Sequence, residues 1–379
     1  MLEKKIKILF QLNSLGYGGT EKAIFTFLEN IDLDKFTPYV YFNTDKGSLN
    51  YFRIIVFSII WKKYKKKYDE KYVISFARLS DFSRLLGDNL FVGNGFDDFI
   101  EVIHKIKPDI VHFNRGTYDD FYTVNIKQIP ENVKIVETNI FGEPSNENYL
   151  KRLSRIFYVS CWLQCKATWG IGYPSEVLYN PIKKVLTHET LREELGIPRN
   201  AIVLGRISRP NLDDGQFVYD VLQQVLTKNI WFVSIGSSEQ FKENTKNMPN
   251  VICLQPTTDA ILIDKFYNTL DILLHYRIEG ETFGMNIAEA MMHSVPVVSH
   301  NSVIDNAQVE LIQPLNDLCG GFVVNLQLNE YIEKVRNLIN DTSLRKSMAL
   351  NAKNIADKSF VESTVMRQLE AHYYQILEE

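Results

Sequence analysis

Short apolar runs alternate with amphipathic stretches along most of the chain. "KIKILFQL" at 5–12 is rich in Ile, Leu and Phe and has no polar face, which suits a strand covered on both sides and predicts a parallel sheet. The next stretch, "NSLGYGGTEKAIFTFLENI", predicts a glycine turn and then a helix whose Ala23, Ile24, Phe27 and Leu28 share a face. Further strands are predicted at 39–43, 109–114, 134–139 and 156–160, while the strands of 44–95 stay unplaced. The helix "FDDFIEVIHKI" is predicted to stop at Lys107-Pro108, because a residue before proline avoids the helical region. After turn signals at Asn180-Pro181 and Pro198-Arg199-Asn200, which flank a predicted polar helix, the alternation restarts with "AIVLGRI". "WFVSIG", "VICLQ", "DILLHY" and "PVVSH" follow as strands separated by helical patterns, and the last forty residues read as helices.

Two βα-repeating halves imply an α/β chain of two doubly wound, Rossmann-like domains facing across a cleft, with ligands beyond the carboxyl ends of the strands. The expected domains are 1–182, 183–360 and a last helix, 361–379, returning toward the first. A chain of 379 residues is long enough for two such cores. Its 45% hydrophobic and 23% charged content is that of a globular enzyme, and a net charge of −4 gives no reason to expect nucleic acid. Cys161 and Cys165 are four apart, but no second pair completes a metal site, and reduced thiols are expected. "MLEKKIKILFQLNSLG" lacks the small-residue cleavage site of a leader, and no apolar run reaches membrane-span length, so a cytoplasmic protein is expected.

Candidate chemistry falls at three predicted strand ends. In "LGYGGTEKA", Gly18, Gly19 and Thr20 open a helix, where backbone N–H groups could meet an anion; a plain turn explains them equally well. In "VLGRISRPNLDDGQ", Arg206 and Arg209 follow a buried strand, and two guanidinium forks suit a diphosphate; a surface ion pair with Asp213 or Asp214 is the other reading. The third, "RIEGETFGMNIAEAMMHSVPVV", sets Glu279, Glu281 and Glu289 among apolar residues, where an unpartnered carboxylate costs several kcal/mol. Glu281 precedes a predicted helix and Glu289 lies inside it. The amides of Phe283, Gly284, Met285 and Asn286 come between them, and carboxylates accept well from paired hydroxyls. Helix capping accounts for Glu281 but not for Glu289.

These stretches resemble glycosyltransferase family four, the retaining nucleotide-sugar enzymes of GT-B fold. The likeness runs through "GGTE", "IKPDIVHFN", "VLYNPI", "GRISR" and, most specifically, the Glu-x7-Glu of "GETFGMNIAEAMMHSVPVV". It implies that Glu281 contacts the donor sugar, Glu289 the ribose, and Arg206 the diphosphate, while Glu279 has no role. The family usually has a Lys where Asp214 stands, so either Arg209 substitutes for it or the diphosphate grip is weaker. It often has a His where Asn139 stands, which leaves His112 as the polar group expected on the acceptor side. The resemblance further implies transfer without a metal or other cofactor, from UDP- in preference to GDP-sugars, to a glycan, lipid-linked or other hydroxyl acceptor. A nucleotide-sugar-binding protein without transfer and a 2-epimerase-like isomerase are the alternatives. One segment belongs to none of this: at 51–72 an apolar run meets Lys62, Lys63, Lys65, Lys66 and Lys67. It reads either as a core helix with a solvated lysine tail or as a peripheral contact with the inner face of a membrane.

Overall fold

A computed structural model describes residues 4–13, 15–16, 18–43, 76–115, 126–208, 215–314 and 319–379. The chain divides into two compact units. Met1–Val159, Leu163–Pro181 and Val365–Glu379 form the first; Ser160–Trp162 and Ile182–Thr364 form the second. The lysine-rich stretch 51–72, together with Arg209, Asp213 and Asp214, lies outside the described residues.

In the first unit the described elements run β1 (Ile6–Leu12), α1 (Gly19–Asn30), β2 (Phe36–Asn43), α2 (Leu79–Leu86), β3 (Leu90–Gly93), α3 (Phe96–Ile106), β4 (Ile110–Arg115), β5 (Lys134–Asn139), α4 (Glu147–Leu150), β6 (Arg155–Tyr158), α5 (Cys161–Lys166) and β7 (Ser175–Val177). The strands form a parallel sheet in the order β3-β2-β1-β4-β5-β6-β7. Ile8, Leu9 and Phe10 are fully buried, as a central strand covered on both faces requires. Helix α3 does end where Pro108 forces it to, with Lys107 in the left-handed region at φ 49°.

The second unit runs β8 (Ile202–Ile207), α6 (Gly215–Val225), β9 (Ile230–Ile235), α7 (Glu239–Thr245), β10 (Val251–Leu254), α8 (Ala260–Thr269), β11 (Ile272–Leu274), β12 (Gly280–Glu281), α9 (Met285–Met292), β13 (Val297–His300), β14 (Asp305–Asn306), α10 (Ala307–Ile312), β15 (Gly321–Val324), α11 (Leu328–Asn340) and α12 (Thr342–Ser359). Helix α13 (Glu362–Glu378) follows, and its Val365, Leu369, Tyr373 and Ile376 join the first unit's core. The second sheet is parallel in the order β10-β9-β8-β11-β13-β15, with β12 and β14 paired separately. Strand order reverses between β8 and β11. The carboxyl ends of that strand pair are where an open α/β sheet presents a ligand site.

The polar helix expected between Pro181 and Pro198 is not formed as such. Side chains of α8 take the amides a helix would have used: Asp264 Oδ2 accepts from Leu186 N at 2.5 Å and from Thr187 N at 3.3 Å, and Thr269 Oγ1 from Leu191 N at 2.7 Å. Only a turn at 191–196 survives, ended by Gly196 at φ 66°. Strands β3, β7 and β15, of three or four residues, are not among those the sequence pattern marked.

Candidate functional site

Arg206 lies in β8 and is 6% exposed, with its Nη2 donating to Tyr276 O at 3.4 Å. Beside it, Asn286 Nδ2 donates to Ile207 O at 3.2 Å, tying the first turn of α9 to the end of β8. Gly284 caps that helix at φ 101°, and its carbonyl accepts from Ile287 N and Ala288 N, both at 3.1 Å. The N–H groups of Met285 and Asn286 precede this first intrahelical bond, so they belong to the positive end of the helix. Phe283 is buried edge-on against Phe360, ring centroids 5.6 Å apart.

Glu281 is held by its backbone and its carboxylate. Gly280 turns the chain at φ 74°, and a Cβ there would lie 1.7 Å from Asp305 O, so only glycine lets β12 pair with β14. Glu281 N donates to Gln308 Oε1 at 3.1 Å, and buried Gln308 donates onward to His300 O at 2.9 Å. The carboxylate Oε1 lies 3.2 Å from His275 Nε2, and Oε2 lies 3.8 Å from Arg277 Nη1. Burial holds His300 below its ordinary pKa; its Nε2 accepts from Arg277 N at 3.3 Å while Nδ1 bonds Asn301 O. Glu279 is half exposed, 3.6 Å from Arg277 Nε.

Glu289 is 7% exposed on the buried side of α9 and accepts on Oε2 from Tyr267 Oη at 2.9 Å. Burial, with Glu289 adding to it, raises the Tyr267 pKa well above 10, so the phenol stays a donor. The Tyr267 ring stacks on His293 at 5.3 Å, and His293 Nε2 lies 3.3 Å from Asp264 Oδ1. Burial alone would raise the Asp264 pKa, but the bond to His293 and the Leu186 and Thr187 amides outweigh it and leave the carboxyl below its ordinary value.

The second unit therefore brings Arg206, Glu281, Phe283, Gly284, Met285, Asn286 and Glu289 to neighbouring strand ends and one helix. His275, Ser299, Gln308 and Tyr267 were not anticipated. His275 and Arg277 follow an apolar strand run in "DILLHYRIEGE", the signal that singled out Arg206. Tyr267, inside a helix, gives no such signal.

The first unit corrects two expectations. His112 is not on an accessible wall: it is fully buried, stacked on Phe10, with Nδ1 2.6 Å from Tyr373 Oη and Nε2 2.8 Å from Thr138 Oγ1. Burial lowers its pKa to about 3. Asn139 is 1% exposed and serves the loop after β5, its Nδ2 donating to Glu143 O at 3.0 Å and its Oδ1 accepting from Gly142 N at 2.8 Å. It also donates to Glu137 Oε1 at 2.9 Å; Glu137 pairs with buried Arg115 at 3.0 Å and accepts from Tyr149 Oη. Both chain positions became structural because their polar atoms face these partners. Gly18 is the N-cap of α1, and Gly19 and Thr20 are its first two residues. A Cβ on Gly18 would meet Glu21 Oε2 at 2.1 Å, so a carboxylate already lies at this helix start, which favours the plain turn over an anion site.

Residues 198–341 match the family model of glycosyl transferases group 1. Over that stretch the chain is therefore similar to the glycosyl transferases group 1. The capsular polysaccharide biosynthesis glycosyltransferase CapM of Staphylococcus aureus is 28% identical over 194 residues. That match spans 47% of this chain and 47% of CapM, about half the length of the curated relative. A glycosyltransferase structure from Rickettsia africae superposes with TM-score 0.72 at 16% identity, covering 99% of this chain and 100% of that one. Anabaena Alr3699/HepE in complex with UDP and glucose gives TM-score 0.69 at 17% identity, covering 97% and 99%. These structures establish the GT-B architecture of two Rossmann-like domains with C-terminal helices. Among the described residues no group of three His, Cys, Asp or Glu is placed to hold a metal ion, and no helix is long and apolar enough to cross a membrane.

Proposed function

We propose that the protein is a retaining glycosyltransferase that uses a nucleotide-sugar donor, UDP-linked in preference to GDP-linked, and works without a metal ion. The acceptor is a hydroxyl of a glycan or a lipid-linked glycan, and residues 51–72 are proposed to contact the membrane where the acceptor is lipid-linked. One observation carries the reading: within the stretch similar to glycosyl transferases group 1, Asn286 ties the start of α9 to the end of β8 beside Arg206, and Glu281 meets His275 just past β11. CapM, named for capsular polysaccharide synthesis, and the HepE complex with UDP and glucose support the substrate classes.

Glu281 accepts from hydroxyls of the donor sugar, and Glu289 from the ribose. Arg206 and the first amides of α9 face the diphosphate, whose charge grows as its bond to the sugar C1 breaks. A preorganised donor of this kind contributes roughly 3 kcal/mol. The acceptor oxygen bonds C1 on the face the diphosphate leaves, and its proton passes to the departing phosphate oxygen. No side-chain base is needed.

Product analysis over UDP- and GDP-sugars, with and without glycan acceptors, tests this. Glu281→Gln is expected to lower transfer about 100-fold with UDP affinity little changed, and Glu289→Ala to weaken nucleotide binding about tenfold. EDTA should leave activity intact. An epimerised sugar formed without acceptor would show an isomerase instead, and nucleotide binding without turnover a binding protein.

A further inference from the structure

His275 lies against the Glu281 carboxylate and has no part in the donor reading. This imidazole is fixed on three sides. Its backbone N–H donates to Val298 O at 2.9 Å, its carbonyl accepts from Tyr331 Oη at 3.1 Å, and the ring is almost wholly buried. Nδ1 lies 2.8 Å from Ser299 Oγ and Nε2 lies 3.2 Å from Glu281 Oε1. A carboxylate only accepts, so the second contact is a hydrogen bond only if Nε2 carries the proton. Ser299 is itself fully buried on β13, and its hydroxyl can donate to the bare Nδ1 and so select that tautomer.

We propose that His275, braced by Ser299, is a positioning residue that fixes the orientation of the Glu281 carboxylate toward the donor sugar. The proposal rests on the reading of Glu281 as the sugar contact. Gln308 fixes the backbone at this residue, whereas His275 meets the carboxylate itself at Oε1. His275 supplies a donor there from the residue that follows β11, its backbone tied to β13 through Val298 O. Misplacing a reacting or contacting group by about 1 Å can cost on the order of 100-fold in rate, so a lost brace is read in turnover before it is read in binding.

Two measurements on the full chain test it. Long-range proton–nitrogen correlation spectra of protein labelled at histidine nitrogens are expected to show His275 protonated at Nε2, with the signal moving in Glu281→Gln. A His275 with bare Nε2 overturns the proposal without any donor being known. The second is kinetic. Asn places its amide nitrogen near the position of Nδ1 and Gln near that of Nε2, so the two variants separate the contacts. His275→Asn should lower kcat about tenfold with donor KM changed less than about twofold, and His275→Gln should recover most of that loss. Circular dichroism and urea midpoints confirm that both variants fold. If Glu281→Gln abolishes turnover while His275→Asn matches wild type, the inference falls and the reading of Glu281 stands. If wild-type protein turns over no UDP- or GDP-sugar, the reading itself falls and takes the inference with it.

Discussion

The two carboxylates of the Glu-x7-Glu stretch differ in what their surroundings leave them to do. Glu281 stands at a loop end between an imidazole and a guanidinium, whereas Glu289 is buried and receives a phenol hydrogen bond. The Tyr267 hydroxyl is therefore one donor that helps make burial of Glu289 tolerable. Tyr267→Phe deletes it without changing the ring that stacks on His293. The expected cost is about 1–3 kcal/mol, because a buried carboxylate oxygen loses its partner. Urea unfolding should show this loss of stability, and UDP titration a weaker affinity, with stacking on His293 preserved. Unchanged stability and unchanged UDP affinity would contradict the assigned role.

At the scale of elements, the site depends on a two-residue strand pair. Strand β12 presents Glu281 only because Gly280 accepts φ 74° beside the Asp305 carbonyl. Gly196 provides the comparison, since it also has positive φ, 66°, but nothing within 4 Å of where a Cβ would stand. Gly196→Ala should cost about 1 kcal/mol from backbone strain alone, with donor turnover unaffected. Gly280→Ala meets an unyielding backbone as well, so it should separate β12 from β14 and remove most turnover. Thermal melts and donor kinetics of the two variants check both statements. Segment 183–200 teaches the converse: its helical propensity was sound locally, but Asp264 and Thr269 of α8 offered its amides better-placed acceptors.

For the whole molecule, the buried histidine of the first unit couples stability to pH. His112 stays neutral when folded, with a pKa of about 3, whereas the unfolded chain regains an ordinary value near 6.5. Above that value the neutral ring costs nothing. As pH falls from about 6.5 toward 3, the unfolded chain takes up a proton that the folded one refuses, and stability is lost by up to roughly 1.4 kcal/mol per pH unit from this group. His300 and His372, also lowered by burial, act in the same direction. Urea midpoints measured from neutral to mildly acidic pH should fall steadily, and His112→Asn should flatten that fall. An equally steep fall in the variant would assign the dependence to other groups.

Features encoded by neighbouring residues are legible in the chain before it folds. Apolar runs of β1, β4, β5, β8 and β9 marked buried parallel strands, Pro108 marked the end of α3, and the glycine-bounded Glu-x7-Glu marked a loop running into a helix. These depend on side-chain periodicity and backbone torsions, which act over a few residues. Tertiary structure alone decided the partners. The sheet order β8-β11-β13 brings Ser299 beside His275, and α8 packing brings Tyr267 to Glu289. Tyr373, 261 residues beyond His112 in the chain, closes over that ring and turns an expected acceptor contact into core. Which polar group meets which depends on strand neighbours and helix docking, and those are set by burying the whole apolar surface at once rather than by any local stretch.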